Sequence, residues 1–561
     1  MSKEQRSESA VSRSEHIKEE EMAEEKEAPK KATRREFVKG ATVGAAAAAG
    51  AGVLASCASP EGEVGLQGPA GAAGPAGPAG PSGITEVKWD YETDLVVVGS
   101  GNGGMSAAIA AAMAGAKTIV VEIASTTGGA SSYSGGSIHA YGLATLDEYL
   151  EKTQGLHDPE LGPFYFEQYQ EYKRWLKEIG ADVVDDPNRP VDLQMGGGRT
   201  GEGLNTGCRD YFDSLVTIFE DAGGTILLKT RGKKLLTDEE GAIVGLRAEA
   251  PEGFLDMKAK AVILACGGFQ NNPELKVKYW GRDADLARLH GTPYNMGEGM
   301  LMAQEVGASL SDSMGSFQCG IAAAHPCRNP QANPEEWDAA GYDFNGKHVF
   351  STFSIGIPGA KILVNLEGKR YVDETAAYPS WGVMTARQSK ATGISIFDGP
   401  MWNAAKDAVG YHGRTSQEGF DIARSYGAVI LEADTISELA DKLAELPTPV
   451  HKANFLKTLD EYNKAVTAGT SGELEVSRTS NAVAIETPPF YAVPTTPNIY
   501  ACYGGLAINK NAQVLDMEKE PIPGLYACPP TAGGIMRSIY TGMIGCAGTF
   551  GWIAGKHSAA L

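Results

Sequence analysis

The sequence TDLVVVGSGNGG at residues 93–104, together with TIVVE at residues 118–122, decides the fold of this 561-residue chain. The run from Leu95 to Val98 is apolar without interruption, which is typical of a parallel strand buried on both faces. Residues 105–114 are rich in alanine and predict a helix, and residues 119–121 repeat the pattern of a buried strand. The order strand, glycine turn, helix, strand therefore predicts a βαβ unit in an α/β fold.

Three glycines in this turn have the spacing G-x-G-x-x-G. Gly99 permits a tight turn, Gly101 lets the backbone approach a pyrophosphate, and Gly104 lets the helix pack closely on the strand. The helix N-terminus also directs unpaired N–H groups and the positive end of its dipole at phosphates. Glu122 lies roughly 20 residues further on, where a carboxylate can accept hydrogen bonds from ribose hydroxyls. The stretch therefore predicts a bound dinucleotide.

Composition excludes several other classes of protein. The formal net charge of −21 argues against nucleic acid as a partner. The 8 cysteines include no C-x-x-C pair, and the 9 histidines show no spacing typical of metal ligands. The sequence thus predicts no disulfide framework and no metal, iron–sulfur or attached haem site.

The N-terminal residues have the features of an export signal. Residues 1–32 are highly charged and lack a hydrophobic pattern, so we expect them to be disordered. The segment TRREFVK at 33–39 resembles the twin-arginine signal, and the apolar residues 41–56 fit its hydrophobic part. That part is too short and too rich in alanine and glycine to span a membrane comfortably. We interpret residues 1–56 as this signal; a chance Arg-Arg pair beside an alanine-rich helix is the alternative.

A lipid anchor and a spacer are predicted for residues 57–89. The sequence LASC at 54–57 resembles a bacterial lipobox, which predicts cleavage before Cys57 and a lipid on its thiol. Ordinary cleavage nearby, with Cys57 unmodified, is the alternative. Glycine occupies every third position in residues 65–83, a collagen-like composition. A triple helix would need a trimer, so we favour a polyproline-II spacer of roughly 60 Å at ~3.1 Å per residue. The expected location is the outer face of the cytoplasmic membrane.

Further glycine-rich blocks follow the first in a fixed order. They are TGGASSYSGG at 127–136, AVILACGGF at 261–269, GEGMLMAQEVGA at 297–308, KILVNLEGKRYVDE at 361–374, GGL at 504–506 and GLYA at 524–527. Together they resemble the flavoprotein family of fumarate reductase, succinate dehydrogenase and 3-ketosteroid dehydrogenases, over residues 90–561. The resemblance implies bound FAD and a Rossmann-like FAD-binding domain formed by residues 90–315 and 489–561. It also implies an inserted α+β capping domain at residues 316–488.

The motifs and the resemblance together assign the cofactor-binding residues. No flavin-linking His follows Gly128-Gly129, so we expect FAD to be noncovalent. Pro529-Pro530 stands where the family usually has Gly-Glu, which removes one expected contact to the ribityl chain. The assigned residues are Gly99, Gly101, Gly104, Glu122, Gly128, Gly129, Ser134, Gly135, Gly136, Ala265, Gly267, Gly268, Glu298, Gly504 and Gly505.

Departures from the fumarate-type pattern indicate a different substrate. Where those members place a proton-donating Arg, this chain has Tyr378. No His precedes the Gly-Gly-Leu block, and Tyr540-Thr541-Gly542 replaces the closing Asn-Arg-Leu-Gly-Gly-Asn. A dicarboxylate needs fixed cations to pair its charges. The new pattern is similar to the ketosteroid dehydrogenase branch, where a Tyr and a backbone N–H grip a ketone oxygen. By this resemblance Tyr540 and Gly542 would contact the substrate.

We therefore expect an exported FAD-dependent oxidoreductase that acts on a carbon–carbon bond next to a carbonyl, in a bulky steroid-like enone. Tyr540 would stabilise charge on the oxygen, and Tyr378 would transfer the proton; both could instead merely pack. A Tyr with a free pKa of about 10 suits proton donation, which favours reduction. A membrane partner would supply electrons, as in anaerobic respiration. One alternative is a reductase of an unsaturated carboxylate, with Arg537 or Arg387 as the cation. The other is a tethered flavin electron carrier or a ligand-binding lipoprotein, without chemistry of its own.

The export interpretation predicts the fate of the signal. Changing Arg34 and Arg35 together to Lys should leave uncleaved precursor in the cytoplasm, because the twin-arginine route requires the pair. Mass spectrometry of the membrane-extracted wild type should find Cys57 as a lipid-bearing N-terminus. A soluble exported protein with a free Cys57 thiol would contradict the lipid anchor.

Overall fold

The strand predicted at residues 95–98 lies inside the main sheet of the computed structural model. The structure describes residues 88–197, 208–324, 361–375, 380–408, 415–425 and 427–561, all within one unit of residues 85–561. The predicted export signal with Arg34 and Arg35, the anchor and spacer from Cys57 to residue 87, and Tyr378 lie outside the described residues.

The strands of the described residues are given in chain order. They are β1 (Tyr91–Glu92), β2 (Leu95–Val98), β3 (Thr118–Val121), β4 (Ser137–Ile138), β5 (Val183–Asp186), β6 (Arg189–Met195), β7 (Thr225–Leu227), β8 (Arg231–Thr237), β9 (Ile243–Ala250), β10 (Gly253–Lys258), β11 (Ala261–Leu264), β12 (Arg288–Leu289), β13 (Phe317–Ala323), β14 (Ile362–Val364), β15 (Gly393–Asp398), β16 (Leu431–Ala433), β17 (Phe490–Cys502), β18 (Gln513–Leu515) and β19 (Pro521–Ala527).

The α-helices of the same residues alternate with these strands. They are α1 (Asn102–Met113), α2 (Leu146–Thr153), α3 (Leu161–Glu178), α4 (Arg209–Asp221), α5 (Pro273–Trp280), α6 (Glu298–Glu305), α7 (Trp381–Ala386), α8 (Gly399–Ala405), α9 (Ser416–Ser425), α10 (Ile436–Ala444), α11 (Lys452–Ala468) and α12 (Met543–Ser558). Short 3-10 turns cover Gly129–Tyr133, Ala284–Leu286, Ser389–Ala391 and Ser471–Glu473.

The main sheet has the strand order β18-β19-β11-β2-β3-β7. Strands β19, β11, β2, β3 and β7 are mutually parallel, and β18 is the antiparallel edge. The strands β2, β3 and β11 are buried throughout, as their unbroken apolar runs predict. Helices α1 and α12 pack on this sheet, so the predicted α/β class is confirmed.

A second sheet joins a second hydrophobic core to the first. Its order is β12-β17-β15-β14, with β13 and β16 also paired to β17. The start of β17, residues 490–493, packs in a core with Phe397 and Trp402, whereas Ile499 and Cys502 belong to the core of the main sheet. The predicted return to the FAD domain at residue 489 thus falls just before a strand that both cores share. The domain limits themselves stay a prediction.

Two further features of the described residues are the character of their helices and the state of their cysteines. None of their helices combines the length and the apolar character that crossing a membrane requires. The cysteines among them are free thiols, namely Cys208, Cys266, Cys319, Cys502, Cys528 and Cys546. Five of these six side chains are buried and Cys266 is partly buried.

Helices α1 and α12 approach each other backbone to backbone. A Cβ on Gly551 would lie 2.0 Å from the carbonyl oxygen of Gly103, and one on Gly555 would lie 2.2 Å from that of Ala107. Glycine costs a helix interior ~0.5–1 kcal/mol relative to alanine. The close approach is therefore the reason that glycine occurs at both positions.

We expect Gly551→Ala to destabilise the protein by roughly 1–3 kcal/mol, because the added methyl forces the helices apart. Thermal unfolding measures the change. Gly472→Ala is the matched control, since a Cβ there meets nothing within 4 Å. Equal melting temperatures for the two variants would contradict the close packing.

Candidate functional site

A cavity of about 510 Å³ opens at the carboxyl ends of β2, β3 and β11. Gly99, Glu122 and Ala265, which directly follow these three strands, all line it. Because parallel strands end at the same edge of a sheet, the strand order brings these residues together. This edge is where α/β proteins bind ligands.

Two of the three predicted glycines are required by the packing of the protein itself. Gly99 has φ +104°, and a Cβ on it would lie 2.4 Å from the carbonyl oxygen of Ala265. A Cβ on Gly104 would lie 1.9 Å from the carbonyl oxygen of Gly99. These contacts close α1 onto β2 and so aim the helix N-terminus at the cavity.

Gly101 is different, because nothing in the protein requires it to be glycine. Its φ of −64° suits any residue, and the nearest atom to an added Cβ is Ser131 Oγ at 3.7 Å. Gly101 lines the cavity, so a side chain there would occupy cavity space. The missing Cβ thus fits a ligand that lies close against the backbone, as a pyrophosphate does.

Glu122 is held rigidly at the end of β3. Its Oε2 accepts hydrogen bonds from Ser100 N at 2.8 Å and Ser100 Oγ at 2.6 Å, and its Oε1 accepts one from Ala124 N at 2.9 Å. A carboxylate oxygen can accept two hydrogen bonds. Oε1 therefore keeps the capacity to accept another from a ribose hydroxyl.

Asn295 offers a donor that has no partner in the described protein. The residue is 3% exposed and lines the cavity, and its Nδ2 forms no hydrogen bond. A Cβ on Gly267 would lie 2.3 Å from Asn295 Oδ1, so the amide sits directly against a predicted cofactor-binding glycine. Leaving a buried donor unsatisfied costs ~1–3 kcal/mol, which a ligand acceptor would relieve. The residues present therefore fit a dinucleotide cofactor.

The structure brings together about half of the predicted cofactor-binding residues. Those that line the cavity are Gly99, Gly101, Glu122, Gly129, Ser134, Ala265, Gly267 and Glu298, and Pro529 and Pro530 join them. Those that do not line it are Gly104, Gly128, Gly135, Gly136, Gly268, Gly504 and Gly505.

Two of the glycines outside the cavity, Gly504 and Gly505, have packing roles in the described structure. A Cβ on Gly504 would lie 2.4 Å from Met314 Cα, and one on Gly505 would lie 2.4 Å from the carbonyl oxygen of Thr531. The Gly-Gly pair thus lets the backbone at residues 504–505 pack closely against the segments that contain Met314 and Thr531. A direct contact with the cofactor stays a prediction for these residues.

Of the residues predicted at the substrate, Tyr540 lines the cavity and Gly542 does not. The Tyr540 ring meets the His139 ring edge-on at 5.6 Å. Gly542 has φ +107°, and a Cβ on it would lie 1.8 Å from the carbonyl oxygen of His139. Burial lowers the pKa of His139 to about 3. This imidazole is therefore neutral at physiological pH and supplies no cation.

The two predicted cations lie away from the cavity. Arg537 does not line it, and Nη2 of Arg537 pairs with Asp158 at 2.9 Å and with Asp312 at 2.7 Å. Arg387 is the C-cap of α7 and does not line the cavity either. Neither guanidinium thus lines the cavity among the described residues, and a substrate contact stays a prediction for both.

The cavity wall also contains polar residues that the sequence analysis did not assign. His290, Asn295 and Gln318 line it, as do Tyr500 and Arg231. Arg231 forms an ion pair with Glu298. The sequence signal for two of these residues was their position: Asn295 lies just before the Gly297 turn, and Tyr500 lies just before the Gly-Gly-Leu block.

Comparison with known proteins agrees with this geometry. Residues 94–548 match the family model described as FAD binding domain. A probable fumarate reductase of Shewanella frigidimarina is 27% identical over 483 residues, which cover 83% of this chain and 75% of that protein. A digoxin reductase of Eggerthella lenta is 28% identical over 583 residues, which cover 94% and 97%.

Solved structures show the same fold. A flavocytochrome c3 fumarate reductase in its open conformation is 26% identical with a TM-score of 0.60, covering 84% of this chain and 79% of that chain. The 3-ketosteroid-Δ4-(5α)-dehydrogenase from Rhodococcus jostii RHA1 has a TM-score of 0.63 at 24% identity, covering 85% and 98%. The resemblance found in the sequence is thereby confirmed.

The surroundings of Gly101 predict that a larger side chain there abolishes cofactor binding without unfolding the protein. Gly101→Val should fold with nearly the wild-type melting temperature, because the protein itself leaves room for the side chain. Its flavin absorbance per protein should fall to near zero, since the side chain occupies the place of the pyrophosphate. Purified protein with a wild-type flavin ratio would contradict this.

Proposed function

Because the chain belongs to the family defined by this FAD binding domain, we propose that it reduces or introduces a carbon–carbon double bond next to a carbonyl in a bulky, uncharged, steroid-like enone. The protein is an FAD-dependent oxidoreductase of the CH–CH type, like the fumarate reductases and ketosteroid dehydrogenases to which it is similar. The enone, the direction of reaction and the cellular location are the proposed parts.

The cofactor would be held noncovalently at the carboxyl edge of the main sheet. Gly101 and the N-terminus of α1 would hold the pyrophosphate, and Glu122 would accept from a ribose hydroxyl. Asn295 would donate its unsatisfied N–H to an acceptor on the same group. When bound, FAD supplies two-electron hydride chemistry at the substrate carbon.

The observation that carries the proposed substrate class is that Tyr540 lines the same cavity as the glycine turn. During reduction of an enone, negative charge develops on the carbonyl oxygen. The Tyr540 hydroxyl would stabilise this charge. Tyr378 would give the proton to the carbon next to the carbonyl, a role that suits a neutral phenol.

The charges around the cavity favour an uncharged substrate. Among the described residues that line the cavity, Arg231 is the one arginine and there is no lysine. Glu298 forms an ion pair with Arg231. His139 is neutral, and Arg537 is held by two aspartates. A buried carboxylate without a paired cation is costly. A fumarate-type or urocanate-type acid is therefore the second candidate, kept because of the similarity to a probable fumarate reductase.

We also propose that the enzyme is exported and tethered. The twin-arginine route moves folded proteins, which suits a chain that takes up its cofactor before crossing. A lipid on Cys57 and the collagen-like spacer would hold the enzyme beside the outer face of the cytoplasmic membrane. A membrane-associated protein would then deliver the electrons.

The central test is reoxidation of the reduced holoenzyme. The purified protein is reduced without oxygen and mixed with a panel of steroid-like enones and unsaturated carboxylates. We expect enones to restore the oxidised flavin spectrum. Reoxidation by carboxylates alone would overturn the proposal. Acid precipitation of the same protein should release FAD into the supernatant, and a coloured pellet would contradict noncovalent binding.

The Tyr378→Phe and Tyr540→Phe variants should slow the reaction for different reasons. Tyr378→Phe should slow enone-dependent reoxidation by ~10²–10⁴-fold through loss of the proton donor. Tyr540→Phe should cost up to ~2.7–4 kcal/mol of transition-state stabilisation. Neither change should affect FAD content or reduction by an artificial donor, because the ring is kept.

Tyr279→Phe is the matched control, since Tyr279 does not line the cavity. It should react as the wild type does. A Tyr378→Phe variant that reoxidises at the wild-type rate with every active substrate would overturn the proton-transfer role.

A further inference from the structure

We propose that Gln318 is a specificity-determining residue, which donates a hydrogen bond from Nε2 to an uncharged oxygen of the substrate. This role rests on the proposed function. It would explain how the substrate site prefers a ketone or hydroxyl oxygen to a carboxylate. Gln318 lies on β13 opposite Ala501 of β17, and both residues line the cavity. The residue therefore faces the cavity from the sheet that the second core shares.

A buried tyrosine fixes the orientation of the Gln318 amide. Tyr503 is 3% exposed, and its hydroxyl donates to Gln318 Oε1 at 2.7 Å. An amide that accepts at Oε1 presents Nε2 on its other side. Tyr503 thus holds the donor end of Gln318 in one direction.

The donor end has no hydrogen-bond partner within the described part of the chain. Gln318 Nε2 forms no hydrogen bond there, although Oε1 is satisfied. Gln318 is partly buried, and an oxygen acceptor on a ligand could bind this donor when the ligand displaces water from it. A neutral amide binds a carbonyl oxygen without requiring a counter-charge, unlike a carboxylate.

Two aromatic rings, tilted to each other by 55°, form part of the cavity wall that Gln318 also lines. The rings of His290 and Tyr500 are 4.4 Å apart, and both residues line the cavity. Asn498 Nδ2 lies 3.1 Å from His290 Nδ1, and this contact helps to hold the imidazole ring in place. A Cβ on Gly320 would lie 2.7 Å from the Tyr500 hydroxyl oxygen, so glycine makes room for this ring.

This arrangement fits a fused-ring substrate with a polar oxygen at its end. The wall offers an apolar face, and Gln318 offers one oriented neutral donor at its margin. Tyr540 would hold the reacting carbonyl, and Gln318 a second oxygen. The pair of donors would therefore select both the length and the uncharged character of the substrate.

The test is Gln318→Glu, which keeps the size and the acceptor for Tyr503 but replaces the donor with an oxygen. Binding of a saturated steroid ketone to the oxidised holoenzyme is followed by the shift in flavin absorbance. We expect the dissociation constant to rise roughly 10–100-fold. KM for an active enone should rise by a similar factor, with kcat and FAD content little changed.

Two further variants keep the test decisive. Gln304→Glu introduces the same charge outside the cavity and should bind as the wild type does. Tyr503→Phe releases the Gln318 amide and should weaken ketone binding in the same direction by a smaller factor. If Gln318→Glu does not fold, the Tyr503→Phe result decides.

The outcomes separate this inference from the proposed function. Wild-type enzyme that reacts only with carboxylates overturns the proposed function. Wild-type enzyme that reacts with enones, combined with unchanged ketone binding in Gln318→Glu, overturns the role of Gln318 alone. Loss of FAD from Gln318→Glu also overturns it, because the residue would then contact the cofactor.

Discussion

The contact of backbone with backbone around α1 is the constraint on which the rest of the structure depends. Gly104 closes the helix onto Gly99, and Gly103 and Gly551 bring α12 against its other side. No larger side chain fits at these points. This close packing therefore fixes the direction of the N-terminus of α1. It also fixes the position of Gly101 at the cavity. Pre-organisation of this kind removes the cost of ordering a binding loop when a ligand arrives.

The sequence predicted this centre well because its signals are local. The strand, turn and helix around Gly99 to Gly104, and the acid Glu122, follow one another within 30 residues of chain. Helix α1 and strand β3 occur where the pattern placed them. The family resemblance also implied cofactor contacts for Gly504 and Gly505; the close approach to Met314 and Thr531 gives both glycines a packing role, and the cofactor contact stays a prediction.

The sequence analysis did not assign Gln318 and Tyr500, whose place at the cavity depends on the pairing of distant strands. Gln318 and Tyr500 are 182 positions apart in the chain and meet only because β13 pairs with β17. The same reason explains Arg537, whose two aspartate partners lie at positions 158 and 312. A cation can be predicted from sequence, but its neutralisation by distant carboxylates cannot.

If the proposed export takes place, the burial of the thiols has a consequence for their oxidation. The thiolate is the form that forms and exchanges disulfides. Burial raises the pKa of the Cys208, Cys266 and Cys502 thiols to about 12, and it raises those of Cys319, Cys528 and Cys546 as well. A chain that reaches an oxidising compartment already folded would therefore keep these sulfurs reduced kinetically, with no need for a reductant there.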